Sequence, residues 1–320
     1  KKSSDDLLFL LDLGISMHFA LKIQKILKEK AAIIIRENPY RLIDLVDGIN
    51  FIRADRIALN LGIDPTGTVR IKAMIIYYLR NQTSQAGDCY IELYDLKEFI
   101  YEHLRKGDFD LSEQTISSAL EELKIEKKIV IEEDILVYDA IVYKAEKNTA
   151  RYIYEFIHTE RKDSYEQDKV LETINKIANQ EGIQYAKKQL DAISKALLEP
   201  FVIITGGPGT GKSTIIKGII ESLCILESEE YRTSIALLAP TGRAAKRLKE
   251  ITNHPAQTIH KFLGFEGHGI FKYGPEEQVY AKVVIVDEVS MVDIILMARL
   301  LGAIPKEAKI ILVGDRDQLP

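Results

Sequence analysis

The chain has 320 residues, 43 Lys/Arg against 48 Asp/Glu for a net charge of −5, and two cysteines, Cys89 and Cys224. That length exceeds a usual single core and calls for two or three domains. Two distant cysteines argue against a disulfide scaffold or a cysteine metal site, and no apolar run reaches the roughly 18 residues that span a membrane.

The opening Lys1-Lys-Ser-Ser-Asp-Asp6 lacks the apolar core of a signal peptide, so a cytoplasmic protein is expected. The first residue is not Met and Pro320 closes a motif, so a piece of a longer protein is expected. Charge is uneven: residues 1–80 carry +4, 81–183 carry −10 and 184–320 carry +1. The acidic middle leaves both ends open to nucleic acid, because phosphate contacts depend on local arrangement.

The N-terminal segment repeats itself. Gly14, Ile15, Ala20 and Ile23 match Gly48, Ile49, Ala54 and Ile57 at one fixed offset. Two copies without the aromatic and proline landmarks of tetratricopeptide arrays point instead to tandem helix-hairpin-helix units over 1–80. In each unit a tight Gly-Ile turn leaves amides of the next helix facing solvent, where a DNA phosphate accepts them without any base being read. Gly14, Ile15, Gly48 and Ile49 are therefore candidate DNA contacts. Ser16 and Asn50 stand where such motifs usually carry a second glycine, and hairpins used only for packing or protein contacts are the alternative.

Residues 81–145 change character. Leu93–Arg105 and Leu111–Leu123 have helical spacing, the second with serine capping, and Lys128–Tyr138 resembles two strands around an acidic turn. Helices followed by a hairpin suggest a winged-helix-like module, and its acidity favours a structural or docking role over DNA reading. Residues 146–183 are polar and helical in pattern, a connector.

From 184 onward the pattern is α/β. Four short apolar runs, Phe201–Thr205, Ile235–Ala239, Val283–Val286 and Ile310–Val313, alternate with helical stretches, as buried parallel strands do. The first runs into Gly206-Gly207-Pro208-Gly209-Thr210-Gly211-Lys212-Ser213-Thr214, a P-loop between strand and helix. Its glycines let backbone amides turn inward around an anion, assisted by the positive helix end. Lys212 is expected to reach the outer phosphates of ATP and Ser213 to ligate Mg²⁺. The third run ends in Asp287-Glu288. Asp287 is the expected Walker B carboxylate for Mg²⁺ and Glu288 the general base that deprotonates the attacking water. Ligands of doubly wound sheets sit at the carboxyl ends of strands, so these residues should converge. His254, His260 and His268 lack carboxylate or cysteine partners at ligand spacing, which argues against a metal site of their own.

The fourth run opens Gly314-Asp315-Arg316-Asp317-Gln318-Leu319-Pro320, which is similar to motif III of superfamily 1 helicases. Ala239–Leu248 resembles motif Ia, Thr258–Gly264 the segment after it, and Gln189 with Ala192-Ile193 the Q motif. With Asp287–Met291 and the tandem hairpins around Asn38-Pro-Tyr-Arg-Leu42, nearly the whole chain resembles RecD-like DNA helicases with an extended N-terminal region. The resemblance implies a multidomain fold: all-α tandem helix-hairpin-helix, winged-helix-like α+β module, helical connector, then an α/β RecA-like P-loop NTPase domain over 184–320.

It also implies that Gln189 reads adenine, that Gln318 senses the γ-phosphate, and that Thr241, Thr258 and His260 touch single-stranded DNA. Arg243, Lys246 and Arg247 stay open between phosphate contact and a solvated face, and Gly264–Gly274 between a strand-splitting hairpin and a plain loop. The implied protein uses ATP and Mg²⁺ to move 5′ to 3′ on single-stranded DNA and split duplexes at junctions in repair and recombination. It would work as a monomer beside other repair proteins, away from membranes. Such motors hold ATP between two RecA-like domains, the second supplying arginines, so a chain with one such domain is expected to bind nucleotide and hydrolyse it poorly. Two other classes share a P-loop: an AAA+ switch or loader, against which the Asp-x-x-Gln series of motif III speaks, and a non-catalytic DNA-binding protein, against which Lys212, Ser213, Asp287 and Glu288 speak. A small-molecule kinase leaves the N-terminal hairpins unexplained.

Overall fold

The computed structural model describes residues 2–105, 111–160, 165–267, 269–315 and 317–318. His268, Arg316, Leu319 and Pro320, which the sequence motifs include, lie outside the described residues. The chain divides into two compact units, residues 1–143 and 144–320. The borders expected at 80/81 and 145/146 fall inside continuous helices, Thr68–Ala86 and Ala140–His158.

In the first unit the 34-residue repeat turns out to be a core pattern. Helix Lys2–Asp12 leads through Gly14 to helix Met17–Leu27, and the short helix Leu42–Leu45 leads through Gly48 to helix Phe51–Asn60. Gly14 and Gly48 take φ of 76° and 89°, a left-handed turn that glycine makes without a Cβ penalty. Ile15, Ala20, Ile23, Ile49, Ala54 and Ile57 are all buried. Each hairpin is tied down by the other repeat: Asn60 Nδ2 donates to the Leu13 carbonyl at 3.1 Å, and Lys22 Nζ donates to the Asp47 carbonyl. Arg53 donates to the Gly48 carbonyl while its guanidinium lies 4.7 Å from the Phe19 ring centre. Beneath them Asp55 accepts from Tyr40 at 2.7 Å and from Arg70 Nε and Nη2, both at 2.8 Å.

In and just before the region expected as a winged-helix-like module, helices and short strands follow one another. They are helix Thr68–Ala86, strand Ile91–Glu92, helices Leu93–Arg105 and Glu113–Ile125, and strands Ile129–Glu132 and Leu136–Asp139. The strands form one antiparallel sheet with Leu136–Asp139 in the middle. Ser112 caps its helix by accepting from the Thr115 amide, and the acidic turn closes through positive φ at Glu133 and Asp134. Lys72 bridges Glu122 and Glu126, and Arg80 bridges Asp44 and Asp139, fastening helix Thr68–Ala86 to its neighbours.

In the second unit all four apolar runs are strands of a parallel sheet, joined by a fifth, Ala256–Thr258, too short to register in the pattern. Their order is Phe201–Thr205, Lys309–Gly314, Val283–Val286, Ile235–Ala239, Ala256–Thr258. Val283 through Val286 have no exposed surface, which is why the run shows no alternation. Helices Gln167–Glu181, Lys187–Leu198 and Lys212–Leu226 pack with one side of the sheet, and helix Ile294–Ala303 belongs to the core of the other. This sheet sets the P-loop, Asp287-Glu288, Thr241, Thr258 and the Gly314 turn at the carboxyl ends of adjacent strands.

Candidate nucleotide and DNA site

The P-loop leaves the strand Phe201–Thr205 and enters the helix Lys212–Leu226 through Gly211, whose φ is 81°. Among the described residues the amides of Gly207, Gly209, Thr210, Gly211, Lys212 and Ser213 find no acceptor, whereas the Gly206 amide donates to the Gly314 carbonyl at 3.2 Å. Pro208 has no amide to offer. Lys212 Nζ folds back onto the carbonyls of Gly206 and Gly207 at 2.6 and 3.1 Å, and Thr210 Oγ1 donates to Gly207 at 2.9 Å. Thr214 follows in the first turn of the helix. A cluster of unpaired amides with a cation among them is a cradle for a polyphosphate.

Gln189 stands against this loop. Its Oε1 accepts from the Ala186 amide at 2.9 Å and its Nε2 donates to the Thr210 carbonyl at 3.0 Å. A Cβ on Gly211 would come within 2.5 Å of that Nε2, the movable tip of a flexible side chain, so it is the φ of 81° that favours glycine here. Gln189 is thus part of the loop's support.

Asp287 and Glu288 follow the buried strand Val283–Val286. Asp287 is 6% exposed, and among the described residues its Oδ1 has no hydrogen-bond partner. Glu288 Oε2 and Ser290 Oγ are likewise buried and unpartnered. Burial pushes the Asp287 carboxyl up from the ordinary carboxylate range; a hydrogen bond from the Glu288 backbone and the Lys212 and Arg247 charges oppose this without reversing it. A buried carboxylate with no partner is costly unless a cation completes it. The oxygen donors of Asp287 and Ser213 suit a hard divalent ion such as Mg²⁺, and the loop's free amides suit the phosphates beside it. Glu288 itself sits in the left-handed region at φ 54°, ψ 41°, a conformation that costs a non-glycine residue about 1 kcal/mol or more and marks functional turns. Asp293, a few residues on, caps helix Ile294–Ala303 by accepting from the Leu296 amide and is structural.

Gln318 is exposed at the turn beyond Gly314, with its Nε2 donating to Asp315 Oδ2 at 3.2 Å. Asp315 is 3% exposed and also accepts from the Asp317 amide. Sequence reasoning passed over Asp315 as a holder of Gln318; its Asp-x-Asp spacing, which suits a side chain closing on the amide two residues on, was the available signal.

The DNA candidates fall in two places. Thr241 lies two residues beyond the strand Ile235–Ala239, Thr258 ends the neighbouring strand, and Ala239 pairs with Thr258 in register. Their hydroxyls accept from the Ala244 and Lys261 amides, so each caps a helix. His260 is exposed, its ring 5.3 Å from Phe265 and 5.8 Å from Phe271. Phe265–Gly267 and Ile270–Phe271 pair as a small antiparallel hairpin, so the glycine-rich stretch is more than a plain loop. Arg243, Lys246 and Arg247 are exposed on helix Gly242–Thr252. His254 is buried against the Ile235 carbonyl, far along the strand from His260, and the described residues contain no metal-holding cluster.

In the hairpins, Ile15 and Ile49 need correcting as contacts. Their side chains are 7% and 4% exposed, and their amides donate within the turn to Leu10 and Val46. Among the described residues the amides of Ser16, Gly48 and Asn50 find no acceptor, and the Asn50 side chain already caps the Arg53 amide while Ser16 caps nothing.

Comparison with known proteins agrees with this arrangement at both ends of the chain. Residues 1–90 match the helix-hairpin-helix domain of the ATP-dependent RecD2 DNA helicases, and residues 189–320 match an AAA domain. The ATP-dependent RecD2 DNA helicase of Deinococcus radiodurans is 30% identical over 282 residues, covering 86% of this chain. The chain belongs to the RecD-like helicases. The RecBCD enzyme subunit RecD of Haemophilus influenzae is 35% identical over 150 residues, 40% of this chain and 23% of that protein. An uncharacterized protein of Methanocaldococcus jannaschii is 28% identical over 335 aligned positions, 89% of this chain and 28% of its own length. The chain spans 38% of the length of the Deinococcus relative. Among the described residues no helix is long and apolar enough to cross a membrane.

Proposed function

We propose that the chain works within a longer ATP-dependent DNA helicase, as the part that holds ATP and Mg²⁺. The observation that carries this reading is the pairing of free P-loop amides with the orphaned, buried carboxylates of Asp287 and Glu288. Bound Mg²⁺ neutralises charge on the phosphates and polarises the bond to be broken. Lys212 leaves the Gly206 and Gly207 carbonyls to meet the outer phosphates, Ser213 and Asp287 hold the ion, and Glu288 takes a proton from the attacking water. Gln189 positions the base, and Gln318, steadied by Asp315, reports the state of the γ-phosphate.

Single-stranded DNA runs past Thr241, Thr258 and His260, with the aromatic hairpin Phe265–Phe271 at the junction with duplex, and the polarity is 5′ to 3′. The N-terminal hairpins grip backbone phosphate through the amides of Ser16, Gly48 and Asn50. The working setting is DNA repair and recombination. An arginine from a second motor domain is worth about 10³ to 10⁵ in rate, so the 320 residues alone bind nucleotide and turn it over slowly.

The test is ATP-dependent unwinding by the longer protein of duplexes with a 5′ or a 3′ single-stranded tail, with Glu288→Gln alongside. Unwinding of the 5′-tailed substrate only, lost in Glu288→Gln, is expected. Equal activity on both tails would overturn the polarity, and undiminished activity in Glu288→Gln would overturn the general base. Brisk DNA-stimulated turnover by the 320 residues alone would overturn the dependence on an outside arginine.

A further inference from the structure

Gly314 ends the strand Lys309–Gly314 where three segments of the candidate site meet. Its carbonyl accepts from Gly206 at the mouth of the P-loop, and Asp315 beside it begins the turn that holds Gln318. Its third neighbour is the turn Val289–Met291, which follows Glu288 directly. A Cβ on Gly314 would lie 2.7 Å from Val289 Cγ1 and 3.3 Å from the Ser290 amide nitrogen. The first distance is shorter than real Cβ atoms tolerate, and Val289 is β-branched with a stiff χ1. The second atom is backbone, so neither neighbour yields cheaply.

Glu288 needs such a seat. A non-glycine residue at φ 54° persists only where its surroundings over-determine it, and among the described residues no hydrogen bond fixes its Oε2. We infer that Gly314 is a positioning residue for Glu288: its bare α-carbon lets the Val289–Met291 turn seat on the strand end and holds the carboxylate in place over the P-loop. This rests on Glu288 being the general base.

A methyl group at 314 lifts the turn and carries Glu288 with it. Misplacement of a reacting group by about 1 Å costs on the order of 10²-fold in rate. Nucleotide affinity is spared, because Gly314 meets the P-loop through its carbonyl, which alanine keeps.

The experiment is DNA-stimulated ATP hydrolysis by the longer protein, comparing wild type, Gly314→Ala, Gly314→Ala with Val289→Ala, and Glu288→Gln. Gly314→Ala is expected to lose about 10²-fold in kcat with KM for ATP unchanged, and Val289→Ala in the same chain to restore most of it by removing Cγ1. Unchanged kcat in Gly314→Ala, or no restoration by Val289→Ala, would overturn the inference. If Gly314→Ala does not fold, Val289→Ile crowds the same contact from the other side and should give the same loss confined to kcat; normal kcat there would overturn it equally. Normal turnover in Glu288→Gln removes the general base and this inference together, whereas normal turnover in Gly314→Ala beside an inactive Glu288→Gln removes the inference alone.

Discussion

Two buried acidic sites, one in each unit, are built in opposite ways. In the helical unit Asp55 is 8% exposed, and both its oxygens are spent on Tyr40 and Arg70, while Arg70 Nη1 donates onward to the Pro65 carbonyl at 2.9 Å. In the α/β unit Asp287 is 6% exposed, and among the described residues one oxygen has nothing to bond. A folded chain satisfies nearly all its buried polar atoms, so an orphaned carboxylate marks a place where the missing partner comes from outside. The saturated triad reads as architecture and the unsaturated pair as a site.

The sharpest way to break this contrast is to remove one partner from the saturated site. Arg70→Met leaves Asp55 charged and buried, and should cost about 3–5 kcal/mol of stability in urea unfolding followed by circular dichroism. A loss below about 1 kcal/mol would mean that the triad is not structural. Next in size is Lys212→Ala, which should weaken nucleotide binding by about 1.5–3 kcal/mol, the scale of a charge-assisted hydrogen bond, without lowering the melting temperature. Among the described residues its only hydrogen-bond partners are the loop carbonyls, so equal loss of stability and binding would count against a ligand-directed role.

Asp287→Asn should do the reverse of Arg70→Met and stabilise the nucleotide-free chain by about 1 kcal/mol. The sign follows from the raised carboxyl: the stability it contributes is present below the ordinary carboxylate pKa and lost as pH rises through the raised folded value. Destabilisation by Asp287→Asn at neutral pH would contradict the orphaned-charge reading. The smallest effect belongs to His254, whose pKa burial pushes down while its hydrogen bond to Ile235 pulls up. The unfolded histidine takes a proton at about pH 6.5 and the folded one only lower, so stability should fall as pH drops through that window. In His254→Gln, which can still donate to Ile235, the slope of melting temperature against pH should flatten; an unchanged slope would assign it elsewhere.

The contrast also explains what was legible in the sequence. The P-loop, the four apolar strands and the Asp287-Glu288 pair could be read directly, because glycine spacing and uninterrupted burial leave local signatures. The 34-residue repeat was visible as well, yet its meaning shifted. Ile15 and Ile49 match because both fill the core, while the unpaired amides belong to neighbouring residues. What stayed hidden depends on contacts distant in sequence. Nothing near Gly314 announces Val289, and nothing near Asp55 announces Tyr40 and Arg70. The strand Ala256–Thr258 was missed because three residues carry no period.

The central claim is that Asp287 is kept without a partner for a cation that arrives with nucleotide. Calorimetric titration of ATP into the 320-residue chain, with and without Mg²⁺, tests it in wild type and Asp287→Asn. Binding that tightens with Mg²⁺ in wild type, and no longer responds to Mg²⁺ in Asp287→Asn, is the expected result. The same Mg²⁺ dependence in both proteins would contradict it.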